Sequence, residues 1–454
     1  MKKLWTRPRA RAFGRILFKI MKKMESIPDW RKQGQVEQDL PFTILCIAMA
    51  MLTGNPSQES MHSWIRANYD ELRELYFSFF EAYPLSIGPI SQPSISRILA
   101  SLSTDYVDKI VSKLGQTDFQ KAWLEYAKHR IKILEAKQFQ SIILGLKQTL
   151  SKQSIRVLAV DGKSRKGVIG NNNKTVIDLT VYDVHTGLVL YRVTIPEKKG
   201  EATIFSKFAE SKEFLDLVNL INKSKIVFTA DAGITSRLIA DILAKAGVSY
   251  CLAIKGNAGN VHDIIKKMSW NSKNLICFEE KGHGREEKRV VQVLKLSQLK
   301  KTGLFLDIIA EDPNDAIKTY QDSFLVAKVT STVRNKNRKG VNEISVHTRF
   351  FILGGNLFKE LENEKEIVAA IIRSHWQIES NHWVKDVVLH EDNCLTKTPN
   401  SSQILGAFRD ISLALTKIFT NSPTQFIREL RNNIKNYWLE IGLGIYDEKK
   451  TCYG

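Results

Sequence analysis

The spacing of apolar residues changes character near Ser151. From Leu40 to about Leu150 apolar positions recur at helical spacing, in runs at Leu40–Leu52, Met61–Tyr76 and Val107–Leu114. Thr53-Gly54-Asn55-Pro56 supplies turn material after the first run, so an α-helical domain is expected over residues 36–150. Within it, Ser91-Gln92-Pro93-Ser94-Ile95-Ser96-Arg97-Ile98-Leu99 opens on a Ser followed by an early Pro, a helix start. Its short polar first turn and Arg97 suit entry into a DNA groove, and they suit equally an ordinary capped helix of an α-helical domain. One or two long polar helices are expected from Asp118 to Lys152.

After Ser151 the period shortens. Arg156–Val160 is a continuous β-prone run that ends at Asp161-Gly162-Lys163, and Lys174–Val184 and Leu188–Ile195 flank a turn at Asp183–Gly187, predicting a hairpin. A helix is expected from about Ile204 to Asn222, a buried strand at Ile226–Ala230 ending at Asp231, a helix over Thr235–Ala246, and a strand at Ser249–Ile254 before Lys255-Gly256-Asn257. Three successive strands, then strands alternating with helices, predict an α/β core with a mixed sheet over residues 151–257. Residues 258–360 read as β-rich, with pieces at Arg289–Leu296, Phe305–Ile309, Phe324–Val333 and Glu343–Leu353, joined by basic loops such as Arg334–Gly340. A strong helical pattern from Glu364 to about His390, and further helix to about Trp438, complete the core over 361–440.

Charge alters this picture more than composition does. At 454 residues, 43% apolar and 25% charged, the chain is an ordinary globular protein, which excludes a disordered or collagen-like one. However, 67 basic residues against 48 acidic ones leave a net charge of +19, which predicts attraction to nucleic acid or an anionic membrane face. Residues 1–35 form a basic N-terminal arm with eleven Lys or Arg against Glu25 and Asp29. Phe13, Ile16, Leu17, Ile20 and Met24 run through it at helical spacing; it reads either as a basic amphipathic helix or as a solvated tail. The five cysteines are scattered without Cys-x-x-Cys spacing, as in reduced cytoplasmic proteins. The longest apolar stretch, Leu40–Leu52, is short of the roughly 20 residues of a membrane span, so no membrane partner is expected.

Two carboxylates stand out, Asp161 and Asp231, each expected at the carboxyl end of an apolar strand, where open α/β sheets bind ligands. Neighbouring carboxylates repel one another and so favour capture of a hard divalent cation such as Mg²⁺ or Mn²⁺. Each Asp alone reads equally as a turn or helix-cap residue. The third element is Arg373–Asp386, where His375, Glu379, His382 and Asp386 fall on one helical stripe beside Trp376 and Trp383. A zinc site made by His375, Glu379 and His382 is a competing reading, and His283 reads as a loop residue.

These residues carry a resemblance. Val160-Asp161-Gly162-Lys163, Thr229-Ala230-Asp231-Ala232, Ala253-Ile254-Lys255-Gly256-Asn257, Gly282-His283-Gly284-Arg285, and His375-Trp376-x-Ile378-Glu379-x-x-His382-Trp383 followed by Asp386-Val387 and Glu391-Asp392 occur in that order. In register over roughly residues 155–415, the sequence resembles the DDE transposases of bacterial insertion sequences, specifically the H-repeat-associated (ISAs-type) group. The resemblance implies an α/β fold with an RNase H-like mixed-sheet catalytic core. It also implies a β-rich insertion between Asp231 and Glu379, a helical, DNA-binding N-terminal domain before the core, and C-terminal helices after it.

On the same resemblance, Asp161, Asp231 and Glu379 form the catalytic triad and hold two Mg²⁺ or Mn²⁺ ions for cleavage and strand transfer. Lys163, Lys255, Arg373 and Lys385 become candidate phosphate contacts. His375 and His382 either orient Glu379 or touch the scissile phosphate. Trp376 and Trp383 either pack the helix on the sheet or stack on a splayed base. The partners implied are double-stranded DNA (the terminal inverted repeats of the element and its target) and a second copy in a homodimer on DNA, in the bacterial cytoplasm at the nucleoid. Two other readings stand beside an active transposase: a domesticated, catalytically silent DNA-binding protein of the same fold, and a zinc hydrolase built on the histidine stripe.

Overall fold

The computed structural model describes residues 5–32, 36–127, 149–169, 175–195, 200–221, 225–258, 260–270, 274–282, 285–296, 320–336, 342–359, 361, 364–394, 396, 398–420 and 422–453. The middle of the expected Asp118–Lys152 helices, the strand-like Phe305–Ile309, His283 with Gly284, and Asn337–Gly340 of the basic loop lie outside the described residues.

Helices α1 (Arg7–Met24), α2 (Leu40–Leu52), α3 (Gln58–Ala67), α4 (Tyr69–Phe80), α5 (Gln92–Ser101), α6 (Thr104–Gln116) and α7 (Asp118–Ala122) precede the sheet. The strands are β1 (Arg156–Ile169), β2 (Thr175–Asp183), β3 (Leu188–Ile195), β4 (Ile226–Ala230), β5 (Ser249–Ile254), β6 (Leu275–Gly282), β7 (Arg285–Lys295), β8 (Ser323–Lys336) and β9 (Asn342–Gly354). Helices α8 (Glu201–Ala209), α9 (Lys212–Ile221), α10 (Arg237–Lys245) and α11 (Asn260–Lys267) lie between them, and α12 (Glu364–Val387), α13 (Pro399–Phe419) and α14 (Pro423–Tyr453) follow.

Among the described residues the strands form one mixed sheet in the order β3-β2-β1-β4-β5-β9-β8-β7-β6. β1, β4 and β5 are parallel; every other neighbouring pair is antiparallel. The apolar run of β1 is continuous because both faces of the strand are covered. Leu158 and Val160 join one core, with α8–α10 and the N-terminal helices, while Val157 and Ala159 join the other, with Ile367, Ile371 and Ile378 of α12. The β-rich region is continuous with this sheet rather than separate from it, since β9 pairs with β5 from Tyr250↔Gly354 to Ile254↔Phe350. β6 carries no clear sequence signal; it is an edge strand whose Glu279, Glu280 and Lys281 break the apolar pattern.

The basic arm holds the amphipathic helix that its spacing predicts, not a solvated tail. It forms α1, whose Ala10, Phe13, Leu17 and Met21 are fully buried, and it runs against α14, which extends well past Trp438. Each such buried large side chain contributes roughly 1.5–3 kcal/mol. The helices touch through glycines: a Cβ on Gly14 would lie 2.1 Å from the Ile441 carbonyl oxygen, and one on Gly444 would lie 2.0 Å from that of Arg11. Arg11 pairs with Glu440 (2.6 Å), Lys19 with Glu448 (3.0 Å) and Lys23 with Asp118 (3.0 Å), so part of the arm's charge is met by acids of the same chain. No helix among the described residues is long and apolar enough to cross a membrane. All five cysteines are free thiols.

A buried ionic network fastens the helical N-terminal part to the sheet and to α13. Arg192 of β3, 1% exposed, meets Asp108 of α6 (2.6 Å), Asp178 of β2 (2.9 Å) and Asp410 of α13 (2.6 Å). Lys385 pairs with Asp410, and Arg165 pairs with Asp178. Lys163 joins Asp386 and Glu391, both at 2.6 Å. Burial alone would raise the Glu391 carboxyl, but Arg165, Lys385, Arg409 and Lys163 hold it well below the usual range.

Candidate active site

β1 and β4 run parallel and in register up to Val160↔Ala230, so Asp161 and Asp231 take the next position on neighbouring segments. β4 stops there, but β1 continues against β2. Asp161 therefore sits inside a strand, at the point where its parallel neighbour ends, and not at a strand terminus as expected. Strand alternation directs it to the face of Val157 and Ala159, the face that α12 covers. Asp231 opens a turn in which its Oδ1 accepts from the backbone N–H groups of Gly233 (3.0 Å) and Ile234 (3.2 Å).

The stripe on α12 lies over these strand ends. His375 Nδ1 is 2.9 Å from the Thr229 hydroxyl of β4, and His382 Nδ1 is 3.6 Å from Asp161 Oδ2. Glu379, between the two histidines, is exposed. The Asp161 carboxyl is pushed up to about 7, first by burial and then by the negative charge of Asp231, with Glu379 and Glu201 adding to it against a hydrogen bond from the Gly162 N–H. The three expected acids thus share one electrostatic environment, although they come from chain positions 161, 231 and 379. Burial lowers His375 to about 4 and, with the charges of Lys385 and Lys163, His382 to about 3, so both rings are neutral at pH 7. His375 thus reaches β4, and His382 lies beside β1.

Among the described residues no three acidic, imidazole or thiol groups converge closely enough to form a finished metal cage. The zinc set His375, Glu379 and His382 is therefore not assembled, and His375 Nδ1 is already directed at Thr229. Asp161, Asp231 and Glu379 do not form such a cage either.

The basic candidates separate into two groups. Lys163 (7% exposed) and Lys385 (1%) are committed to buried carboxylates. This placement turns both away from the phosphate contacts expected of them, because removing either would leave buried acids uncompensated. Arg373 grips Glu280 of β6 through two hydrogen bonds of 3.0 Å, tying α12 to the sheet edge. Lys255, just beyond β5, is exposed. Trp383 is 59% exposed and does not pack the helix on the sheet, whereas Trp376 is half-buried under the Arg349 guanidinium, 5.7 Å from the ring centroid. Sequence reasoning missed Glu201, whose only local signal is an acid in the first turn of a helix.

The raised Asp161 carboxyl has a consequence for stability. In the unfolded chain it ionises near 3.8, in the folded protein near 7, so its contribution is full below about pH 4 and is lost as pH rises through 7. Asp161→Asn is therefore expected to stabilise the cation-free protein by about 2 kcal/mol at pH 8, discounted for residual exposure, and hardly at all at pH 4. Urea unfolding at the two pH values checks this; equal stability at pH 8 would refute it.

The family model described as Transposase DDE domain matches residues 152–414. The chain is 22% identical over 416 residues to YhhI and 23% identical over 282 residues to YbfD, the H repeat-associated putative transposases of Escherichia coli strain K12. These alignments cover 89% and 60% of this chain and 91% and 93% of the relatives. A solved piggyBac transposase synaptic complex with hairpin DNA is a looser likeness, 8% identical at a TM-score of 0.39, covering 97% of this chain and 78% of that one, and it decides nothing about the site.

Proposed function

Because the chain belongs to the Transposase DDE domain family, in its H repeat-associated group, we propose that it cleaves and joins DNA strands with Asp161, Asp231 and Glu379 as its catalytic acids. One observation carries the reading: a carboxylate raised to about 7 by burial and by three further acids from distant segments, at the open end of a parallel strand pair. The strand order β3-β2-β1-β4-β5, with three antiparallel strands followed by two parallel ones, supports an RNase H-like core.

The donor set fits a hard cation. It is all oxygen, partly buried, and flanked by neutral imidazoles that add no competing positive charge. Asp161, Asp231 and Glu379 would hold the Mg²⁺ or Mn²⁺ ions. When bound, such ions supply Lewis acidity at the phosphate and activate the attacking oxygen, that of water in cleavage or of a DNA 3′-hydroxyl in strand transfer. The protein's own part is placement. His375 against Thr229 and His382 beside Asp161 hold α12 over the strand ends, and α12 is the helix from which Glu379 would reach the other two acids.

The substrate proposed is double-stranded DNA, the element's ends and its target, bound by a homodimer. Lys255 is the phosphate contact best placed by exposure, and the exposed first turn of α5, with Ser91, Gln92, Pro93 and Arg97, is the candidate for groove entry in the helical 36–150 part. Lys255→Ala is expected to weaken DNA binding and to lower the slope of log affinity against log salt by about one, with unchanged stability. Lys163→Ala is expected to leave the slope unchanged and to lower stability. Binding titrations at three salt concentrations separate the two. Function itself is tested by incubating the purified chain with supercoiled DNA that carries the element's ends. Nicking that requires Mg²⁺ or Mn²⁺ supports the proposal, whereas salt-sensitive binding without nicking leaves the silent DNA-binding reading.

A further inference from the structure

A fourth carboxylate reaches the same place from the other side of the sheet. Glu201 is the first residue of α8, and α8 packs through Phe205 and Phe208 into the core opposite α12. A Cβ built on Gly162 would lie 2.6 Å from Glu201 Oε1 and 2.7 Å from its carboxyl carbon. The carboxylate thus rests on the bare Cα of the residue next to Asp161. Gly162 has no need of glycine for backbone reasons, since its φ is not positive; what the missing side chain provides is room for Glu201.

The topology explains how groups from opposite faces meet. Beyond Val160↔Ala230, β1 has lost its β4 neighbour, so the sheet is open there. Asp161 faces this opening on the α12 side, where α12 carries Glu379, and Glu201 approaches it from the α8 side. The charge of Glu201 is among those felt by Asp161. On the α12 face, buried His382 leaves its Nε2 without a hydrogen-bond partner, so the polar groups of this spot are not all satisfied by one another.

We propose that Glu201 is a fourth carboxylate ligand of the cation site, sharing with Asp161 an ion that it closes off from the face opposite α12. The inference rests on the metal-dependent reading above, and Gly162 becomes the residue that keeps this ligand in reach. A side chain at position 162 would take the space of the carboxylate, and because Glu201 is flexible it would be displaced rather than the backbone distorted.

The test is Mn²⁺ binding to the full chain, read from the loss of the free-ion paramagnetic resonance signal, with unfolding midpoints measured in parallel. Wild type is expected to bind, and Asp231→Asn to lose most of its affinity. Glu201→Gln should weaken binding at least about tenfold, Glu201→Asp should recover part of it, and Gly162→Ala should reproduce the Gln variant with Glu201 intact. Should Glu201→Gln prove unfolded, the Asp and Gly162→Ala variants carry the test. Wild-type affinity in both Glu201→Gln and Gly162→Ala, with Asp231→Asn impaired, overturns the role of Glu201 and leaves the three-acid site standing. No binding by wild type, or no effect of Asp231→Asn, overturns the metal-dependent reading and this inference with it.

Discussion

Strand cleavage by the Asp231→Asn protein is expected to fall at least about 10³-fold, a loss of roughly 4 kcal/mol of transition-state stabilisation, while DNA binding stays within about twofold. The substitution is chosen for what it preserves. Asp231 Oδ1 accepts from the N–H groups of Gly233 and Ile234, and an Asn oxygen accepts the same two bonds, so the turn after β4 survives. What disappears is one negative charge of the three that crowd Asp161. Relief of that crowding lowers the Asp161 carboxyl from about 7 toward the ordinary carboxylate range, so the variant is at least as stable as wild type at neutral pH. Lost activity in a stable, DNA-binding protein is then attributable to the cation site alone. Time courses of nicking with Mg²⁺ and with Mn²⁺, next to mobility-shift titrations, measure both sides. A variant that keeps a tenth of the wild-type rate would remove Asp231 from the triad.

Arg192→Ala is expected to cost about 3–5 kcal/mol of stability, enough to make the protein poorly soluble on expression. The cost comes less from the lost attraction than from what stays behind. Asp108, Asp178 and Asp410 would face one another in the interior without the guanidinium that holds them together. Burial already raises the Asp108 carboxyl despite Arg192, so it is the first to take up a proton in the variant. The deficit should accordingly shrink as pH falls from 7 toward 5, opposite to the usual acid weakening of a protein held by ion pairs. Denaturant midpoints at pH 5 and 7 read this directly. A deficit below about 1 kcal/mol at pH 7 would mean that the network contributes geometry but little energy.

How far the sequence discloses this molecule depends on whether the signal is local. Val157–Val160 and Ile226–Ala230 announce buried strands, and the acids that follow them are legible as a pair because the apolar runs are short and end abruptly. The stripe of α12 is likewise visible, since helical spacing alone aligns His375, Glu379 and His382. Lys163 and Lys385 show the opposite case. A lysine reads as a surface residue unless its partners are known, and theirs lie at Asp386, Glu391 and Asp410, beyond any local window. Glu201 is hidden for a related reason, because an acid in a first helical turn is what the helix dipole favours anyway. The N-terminal arm was legible in half. Phe13 and Leu17 keep the spacing of a buried face, but the surface that buries them, α14, is more than four hundred residues away.

That last pairing bears on biosynthesis. Residues 7–24 are synthesised about 400 residues ahead of the segment that shelters them, residues 423–453. Until that segment is made, the nascent chain displays the apolar face of a cationic amphipathic helix without its cover. Folding withdraws that apolar face alone, and Arg7 and Arg11 stay at the surface.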